Sequence, residues 1–200
     1  MYWLGGGSGG GKSTVARRLA ERFGLRVYAT DDVMGDHAAR SSRADAPYLA
    51  AFAAMSMDER WVERSPEVML ETFHWFRGEA FGLIVEDLRA LPADSRVVVE
   101  GFRLLPRLVA PLLADPSRAV WLLPTPAFRA AAFAGRGSAG DISSRTGDPV
   151  RAERNLRERD RLFTDRLAEE TRRLGLRSVV VDPGVEEDTL VERVARGFGL

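Results

Sequence analysis

The sequence predicts an α/β domain in which five short parallel strands form one sheet with helices on both faces. Three observations carry that reading. Short runs rich in valine and leucine alternate with helical stretches along the chain, the order expected of strand–helix–strand crossovers. Val97, Val98 and Val99 stand in unbroken succession, and a strand apolar on both faces belongs in the middle of a covered parallel sheet. A run of glycines joins the first strand directly to a helix, a strand–turn–helix step found where such sheets bind ligands.

The elements follow in order. Tyr2 to Leu4 is the first strand, and Lys12 to Phe23 has helical spacing through Val15, Leu19 and Phe23, with Gly24 as its stop. Leu25 to Ala29 is the second strand. Ser65 and Pro66 form an N-cap and N1 pair that opens a long helix reaching Leu91, where Pro92 ends it. Arg96 to Glu100 and Ala119 to Leu123 are the third and fourth strands. Pro124 and Pro126 lead into a short apolar helix, Ala127 to Phe133. The stretch from Gly135 to Pro149 is rich in Gly, Ser, Arg and Asp with little to bury, so it reads as a surface loop of the lid type, 134–150. A polar helix from Val150 to Leu174, a last strand from Arg177 to Val181 and a helix over Glu186 to Arg196 complete one domain, 1–200.

Composition narrows the function classes. The 200 residues are 45% hydrophobic and 29% charged, which is globular and neither fibrous nor disordered. Acidic and basic residues balance at 29 each, so no overall positive field favours nucleic acid or an anionic membrane, and any bound anion must be held by a local cluster. With no cysteine, disulfides, thiolate metal sites and cysteine nucleophiles are excluded. No apolar run approaches the roughly 18 residues that span a bilayer, and no targeting pattern opens the chain. The expectation is a cytoplasmic protein, monomer or homodimer, whose partner is a small molecule.

Lys12 is the only lysine among 29 basic residues, and it falls inside the glycine run. Gly6-Gly7-Ser8-Gly9-Gly10-Gly11-Lys12-Ser13 fits G-x-x-x-x-G-K-[ST], flanked by a strand and a helix as that motif requires. The glycines let backbone N–H groups turn inward, and the helix that starts there adds its positive end, which makes an anion site for phosphates. Gly7, Ser8, Gly9, Gly10, Gly11, Lys12, Ser13 and Thr14 are the expected nucleotide contacts. Lys12 would reach the β- and γ-phosphates of ATP and Ser13 would ligate Mg²⁺, with Thr14 supporting the helix start.

This loop and the layout after it resemble the P-loop kinase group that includes shikimate kinase, gluconate kinase, adenylylsulfate kinase, the nucleoside monophosphate kinases and chloramphenicol phosphotransferase. The resemblance implies MgATP-dependent phosphorylation of a hydroxyl on a metabolite, nucleoside or antibiotic. It also implies roles for three further pieces. Asp31 in Thr30-Asp31-Asp32 matches the acid that orients the acceptor hydroxyl and takes its proton, with Asp32 as a second Mg²⁺ or acceptor contact; either could instead cap the helix starting at Val33. Glu100 stands where a Walker B acid holds magnesium, glutamate replacing the commoner aspartate, or it simply ends the strand. Among the arginines near the lid, Arg129, Arg136, Arg145, Arg151, Arg154, Arg157, Arg159 and Arg161, the choices for stabilising the transferred phosphoryl group are Arg136 and Arg157. Most of the others sit at ion-pair spacing from Glu153, Glu158, Asp160 and Asp165. The turn Asp182-Pro183-Gly184 stands where relatives contact adenine.

In this group the acceptor pocket comes from the segment between the second and third strands, here 33–91. Trp61, Phe73, Trp75, Phe76 and Phe81, with Glu71, His74 and Arg77, could line it, or could form the inner and outer faces of one helix packed on the sheet. A nucleoside monophosphate kinase is the alternative reading, with Arg40, Arg43, Arg60 and Arg64 as candidates for an acceptor-phosphate clamp. A nucleotide-controlled switch is the alternative of another class. No N-K-x-D guanine motif can exist beside a single lysine, which disfavours a GTPase.

Overall fold

The computed structural model describes residues 1–134 and 142–200. Strands β1 (Tyr2–Gly6), β2 (Arg26–Ala29), β3 (Val97–Glu100), β4 (Ala119–Pro124) and β5 (Arg177–Val181) form one sheet in the order β2-β3-β1-β4-β5. All pairings are parallel, with Trp3 opposite Val99 and Leu4 opposite Val120. The three central strands are buried along their whole length, while the edges β2 and β5 keep exposed residues. That contrast is why the valine run of β3 and the Ala-Val-Trp-Leu-Leu run of β4 lack alternation.

Successive side chains divide the core. Tyr2, Leu4, Val98, Val120, Leu122 and Val181 point to one face, covered by α1 (Lys12–Phe23) and by the helix Glu187–Phe198. Trp3, Val97, Val99, Ala119, Trp121 and Leu123 point to the other, covered by helices from 33–91 and by the long helix Pro149–Arg173. The chain leaves β1 over the first face toward β2, and leaves β3 over the second face toward β4. Neighbouring strands β1 and β3 therefore send their connections apart, opening a crevice at their carboxyl ends, the topological switch point where α/β sheets bind ligands.

The segment between β2 and β3 folds as α2 (Met34–Arg40), α3 (Pro47–Ala54), α4 (Met57–Trp61), α5 (Pro66–Thr72), α6 (His74–Arg77) and α7 (Phe81–Arg89). Ser65 caps α5 as expected, its hydroxyl accepting from Val68 N at 3.3 Å. The single long helix expected over this stretch is instead broken twice, at extended Phe73 and at left-handed Gly78 and Ala80. The breaks let its aromatics serve different neighbours. Phe76 stacks at 3.7 Å on Phe163 of the long helix, whereas Phe73 turns edge-on to Phe52, 5.4 Å away. One straight helix would put those rings on a single stripe.

After β3 come α8 (Pro106–Val109), then β4 and α9 (Pro126–Ala134); α10 (Pro149–Arg173) precedes β5 and α11 (Glu187–Phe198) follows it. Among the described residues no helix is long and apolar enough to cross a membrane.

Candidate nucleotide and acceptor site

The glycine loop leaves β1 at the switch point. Gly7 N–H donates to the Leu122 carbonyl at 3.0 Å, fixing the loop to β4, and Gly6, Gly9 and Gly11 take positive φ, so the chain curls before α1 begins at Lys12. No side chain caps α1, so its first N–H groups face the loop's concavity. Lys12 is 8% exposed and its Nζ donates to the Gly7 carbonyl at 2.9 Å, which places the ammonium across the loop. Ser8 and Gly9 form the turn at the tip. Thr14 borders a cavity of about 250 Å³ with Gly9, Gly11, Phe128 and Val185. Val185 follows the Asp182-Pro183-Gly184 turn, so that turn does stand beside the loop.

Three carboxylates gather at the neighbouring strand ends. Thr30 N–H donates to the Glu100 carbonyl at 2.8 Å, extending the β2–β3 pairing by one step and delivering Asp31 beside Glu100. Gly101 follows at φ 148°, where a Cβ would lie 1.7 Å from Thr30 Oγ1, so only glycine lets the two strand ends meet. Burial pushes the Asp31 carboxyl up, although the residue keeps open surface; Lys12, the Thr30 hydroxyl and Arg103 pull it back, and Asp32 adds to the rise. Glu100 is 3% exposed and is likewise pushed up by burial, opposed by Lys12 and by a hydrogen bond from Ser13, and reinforced by Asp31 and Asp32. One ammonium thus acts on both carboxylates. Neither aspartate caps a helix: α2 is capped by Val33 without a side-chain bond, and Asp31 interacts with Thr30 Oγ1 at 3.4 Å.

The donor set also fits magnesium. Ser13 bonds Glu100, while Glu100 Oε2 is buried with no partner. Among the described residues no three acidic or histidine side chains come close enough together to hold a metal ion by themselves, and Mg²⁺ held by phosphate oxygens, one hydroxyl and water needs no such group.

Two solved structures share this architecture: deoxyadenosine kinase from M. mycoides with the products dCMP and a flexible dCDP bound, and the same enzyme with bound dATP. Each has a TM-score of 0.53 at 11% identity, covering 98% of this chain and 97% of the other in the first case, 99% and 98% in the second. The fold is that of a P-loop kinase. No family model matches the sequence, and no curated protein matches it.

Arg103, which the sequence did not single out, braces the turn that carries Asp31. It is 2% exposed; Nη1 donates to the Thr30 carbonyl at 3.2 Å, Nη2 reaches His37 Nδ1 at 3.0 Å, and its guanidinium lies 4.1 Å over the Trp75 ring. A guanidinium only donates, so His37 Nδ1 accepts and the ring proton is on Nε2, donating to Asp87 Oδ2 at 2.8 Å. Tyr28 OH and Arg40 also donate to Asp87. Desolvation pushes the Asp87 carboxyl up, but these three partners outweigh it and hold its pKa at about 2. The signal available in the sequence was Arg103 itself, three residues past Glu100 in a loop leaving the strand.

On the lid side of this P-loop kinase fold the expected arginines separate. Arg129 is buried, its Nη2 donating to Thr164 Oγ1 at 2.6 Å, and Thr164 packs so close to Gly7 that a Cβ there would be 2.5 Å from its hydroxyl. Arg157 pairs with Glu153, one turn back on α10, and borders a cavity of about 500 Å³ with Arg129, Arg154 and Arg161. Arg136 lies outside the described residues.

In the acceptor segment, Trp75, Phe76 and Phe81 are core, as one of the two readings had it, and Glu71 and Arg77 face solvent. His74 does not join them on an outer face. It is 3% exposed and wedged among Phe52, Phe73 and Trp75, with ring centroids 4.9, 4.6 and 4.4 Å away, and its Nδ1 has no partner. The break at Phe73 turns it inward.

Proposed function

We propose that this chain is a MgATP-dependent kinase that moves the γ-phosphate to a hydroxyl of a small molecule. The observation that supports this most is the gathering of Lys12, Ser13, Asp31 and Glu100 at the carboxyl ends of three adjacent strands, with Lys12 acting on both carboxylates. Backbone N–H groups of Gly7 to Thr14 would cradle the triphosphate, and Lys12 would leave the Gly7 carbonyl to follow the β- and γ-phosphates. Ser13, Glu100 and Asp32 would hold Mg²⁺, which neutralises charge on the phosphates when bound. Asp31 would accept a hydrogen bond from the acceptor hydroxyl, aim its oxygen at phosphorus and take its proton. Its raised affinity for a proton suits that task. Arg157 and Arg136 would close over the transferred group and exclude water. The deoxyadenosine kinases of the same fold bind a nucleotide, which supports an acceptor of about nucleoside size.

The test is thermal stability with MgATP across hydroxylated metabolites, nucleosides, nucleotides and antibiotics, followed by mass spectrometry. A ligand of the folded state raises the melting temperature by mass action. The expected result is a compound that both stabilises the protein and gains the mass of a phosphate, with no product from Lys12→Ala. MgATP binding without any phosphorylated acceptor would instead favour a nucleotide-controlled switch.

A further inference from the structure

Beyond the bases and phosphates of the donor site, the acceptor segment concentrates positive charge. Arg60 stacks 4.8 Å over the Phe52 ring and Arg64 5.9 Å from it, while Arg159 lies 5.3 Å from the Trp61 ring and 5.1 Å from the Phe73 ring. Phe52 meets both Trp61 and Phe73 at 5.4 Å, so the three guanidinium groups surround one aromatic cluster. Of the three, only Arg159 touches a carboxylate among the described residues, that of Asp160. Arg60 donates to the carbonyls of Phe52 and Ala53, and Arg64 to those of Glu59 and Arg60 and to the Thr72 hydroxyl. Carbonyls and hydroxyls orient a guanidinium but cancel none of its charge. The cations repel one another: burial first, then Arg159 and Arg60, lower the Arg64 pKa. In a chain with 29 acidic and 29 basic residues, this cluster, compensated only at Arg159, is a local choice. Arg40 differs, since Asp36, Glu86 and Asp87 surround it.

Two buried polar atoms in the same cluster lack partners. Arg159 is 8% exposed and its Nη1 is unbonded; His74 is 3% exposed and its Nδ1 is unbonded. Unmade hydrogen bonds of this kind are uncommon in folded chains and call for a partner, whether a water, an ion or a ligand. The cluster also connects to the proposed base. His74 packs on Trp75, whose face carries Arg103, and Arg103 bonds the Thr30 carbonyl next to Asp31.

We infer that the acceptor carries an anionic group, a phosphate monoester or a carboxylate, held by Arg60, Arg64 and Arg159, with its hydroxyl toward Asp31. This rests on the kinase reading above. The anion would neutralise the mutual repulsion and accept from Arg159 Nη1, and its placement against three fixed guanidinium groups would select it over the neutral analogue.

The test uses the full chain saturated with a non-hydrolysable MgATP analogue, so that the glycine loop is occupied. Sodium phosphate and sodium acetate are titrated separately at constant ionic strength, and the arginine side-chain and His74 NMR signals are followed. The expected result is a saturable shift at Arg60, Arg159 and His74 with a dissociation constant of about 1 mM or tighter for one of the two anions, and the stronger anion tells phosphate from carboxylate. Arg60→Gln, at a half-exposed position, should weaken that binding at least tenfold and leave the affinity for the ATP analogue unchanged. Absence of a saturable shift with both anions, or an unchanged affinity in Arg60→Gln, overturns the inference. Failure of the analogue itself to bind would strike the kinase reading instead, and the anion titration would still report on the arginines.

Discussion

His74 should make the protein labile to mild acid, and the size of the effect follows from where the ring sits. It is 3% exposed, and burial, aided by the nearby positive charges of Arg103 and Arg60, lowers its pKa from 6.5 to about 4. Between those values the unfolded chain takes up a proton that the native state refuses. The stabilising contribution is therefore fully present above pH 6.5 and is lost as pH falls through the window toward 4. A gap of this width corresponds to about 3 kcal/mol in the limit, a large part of the roughly 5–15 kcal/mol that holds a domain folded. His74→Phe keeps a ring against Phe52, Phe73 and Trp75 and removes the titration. Urea unfolding of both proteins at pH 7 and pH 4 is the assay. The wild type should lose about 2–3 kcal/mol more than the variant across that interval, every other group being common to both. Parallel losses would mean that His74 is not held neutral by its surroundings, and the account of the aromatic cluster would fall with it.

Other outcomes follow from the same geometry. Lys12→Ala should abolish phosphoryl transfer and ATP binding with the fold intact by circular dichroism; near-normal turnover would refute the assignment of the loop. Asp31→Asn should lower turnover by about 10² or more with little change in ATP affinity measured by calorimetry, and the wild-type rate should fall on the acid side at a pH above the ordinary carboxylate range, because burial raises the Asp31 pKa. Gly101→Ala forces a side chain onto φ 148° and against Thr30 Oγ1, so it should cost more than about 2 kcal/mol in chemical denaturation. Asp87→Asn should cost up to about 2 kcal/mol at pH 7, less any relief from solvent screening at this partly open site. That difference should persist above pH 3.8, the ordinary aspartate value, and shrink as pH falls toward the native value of about 2.

The sheet was legible because each strand carries its own local signal. Glycines end β1, the valine run marks β3, and Pro124 and Pro126 close β4; each predicted strand overlaps the observed one. The glycine loop and its neighbouring acids were legible as local structure for a related reason: the G-x-x-x-x-G-K-S spacing sits between a strand and a helix, and the acids fall at strand ends. The segment 33–91 resisted because its shape depends on the breaks at Phe73 and at Gly78 to Ala80. Helical spacing across 65–91 gives no sign of the first, since Phe73 is left extended to reach Phe52 and Trp61 on other helices, a tertiary preference that local pattern does not encode. The inward turn of His74, against the outer-face reading, follows from that break. Arg103 carries no such local signal because its partners, His37 and the Thr30 carbonyl, are 66 and 73 residues distant in the chain, and only the fold assembles them.

The charges at the two ends of the site obey different rules. At the glycine loop, Lys12 faces Asp31 and Glu100, and Asp32 acts on both of those carboxylates, so the acids outnumber the cation and the imbalance is of the sign that a divalent cation would correct. In the aromatic cluster, Arg60, Arg64 and Arg159 have among the described residues one paired carboxylate, that of Asp160, and the imbalance has the opposite sign. Arg103 stands between the two, buried on Trp75, its pKa lowered by burial to about 10 and supported by the Tyr28, Asp31 and Asp87 oxygens. At neutral pH it stays charged, so the turn carrying Asp31 is held from behind by a cation that cannot be titrated away. Each imbalance costs stability in the free protein and is relieved by a ligand of the matching sign. On the proposed reading a metal-bound polyphosphate would relieve the first imbalance and the anionic group of the acceptor the second, with Asp31 between them.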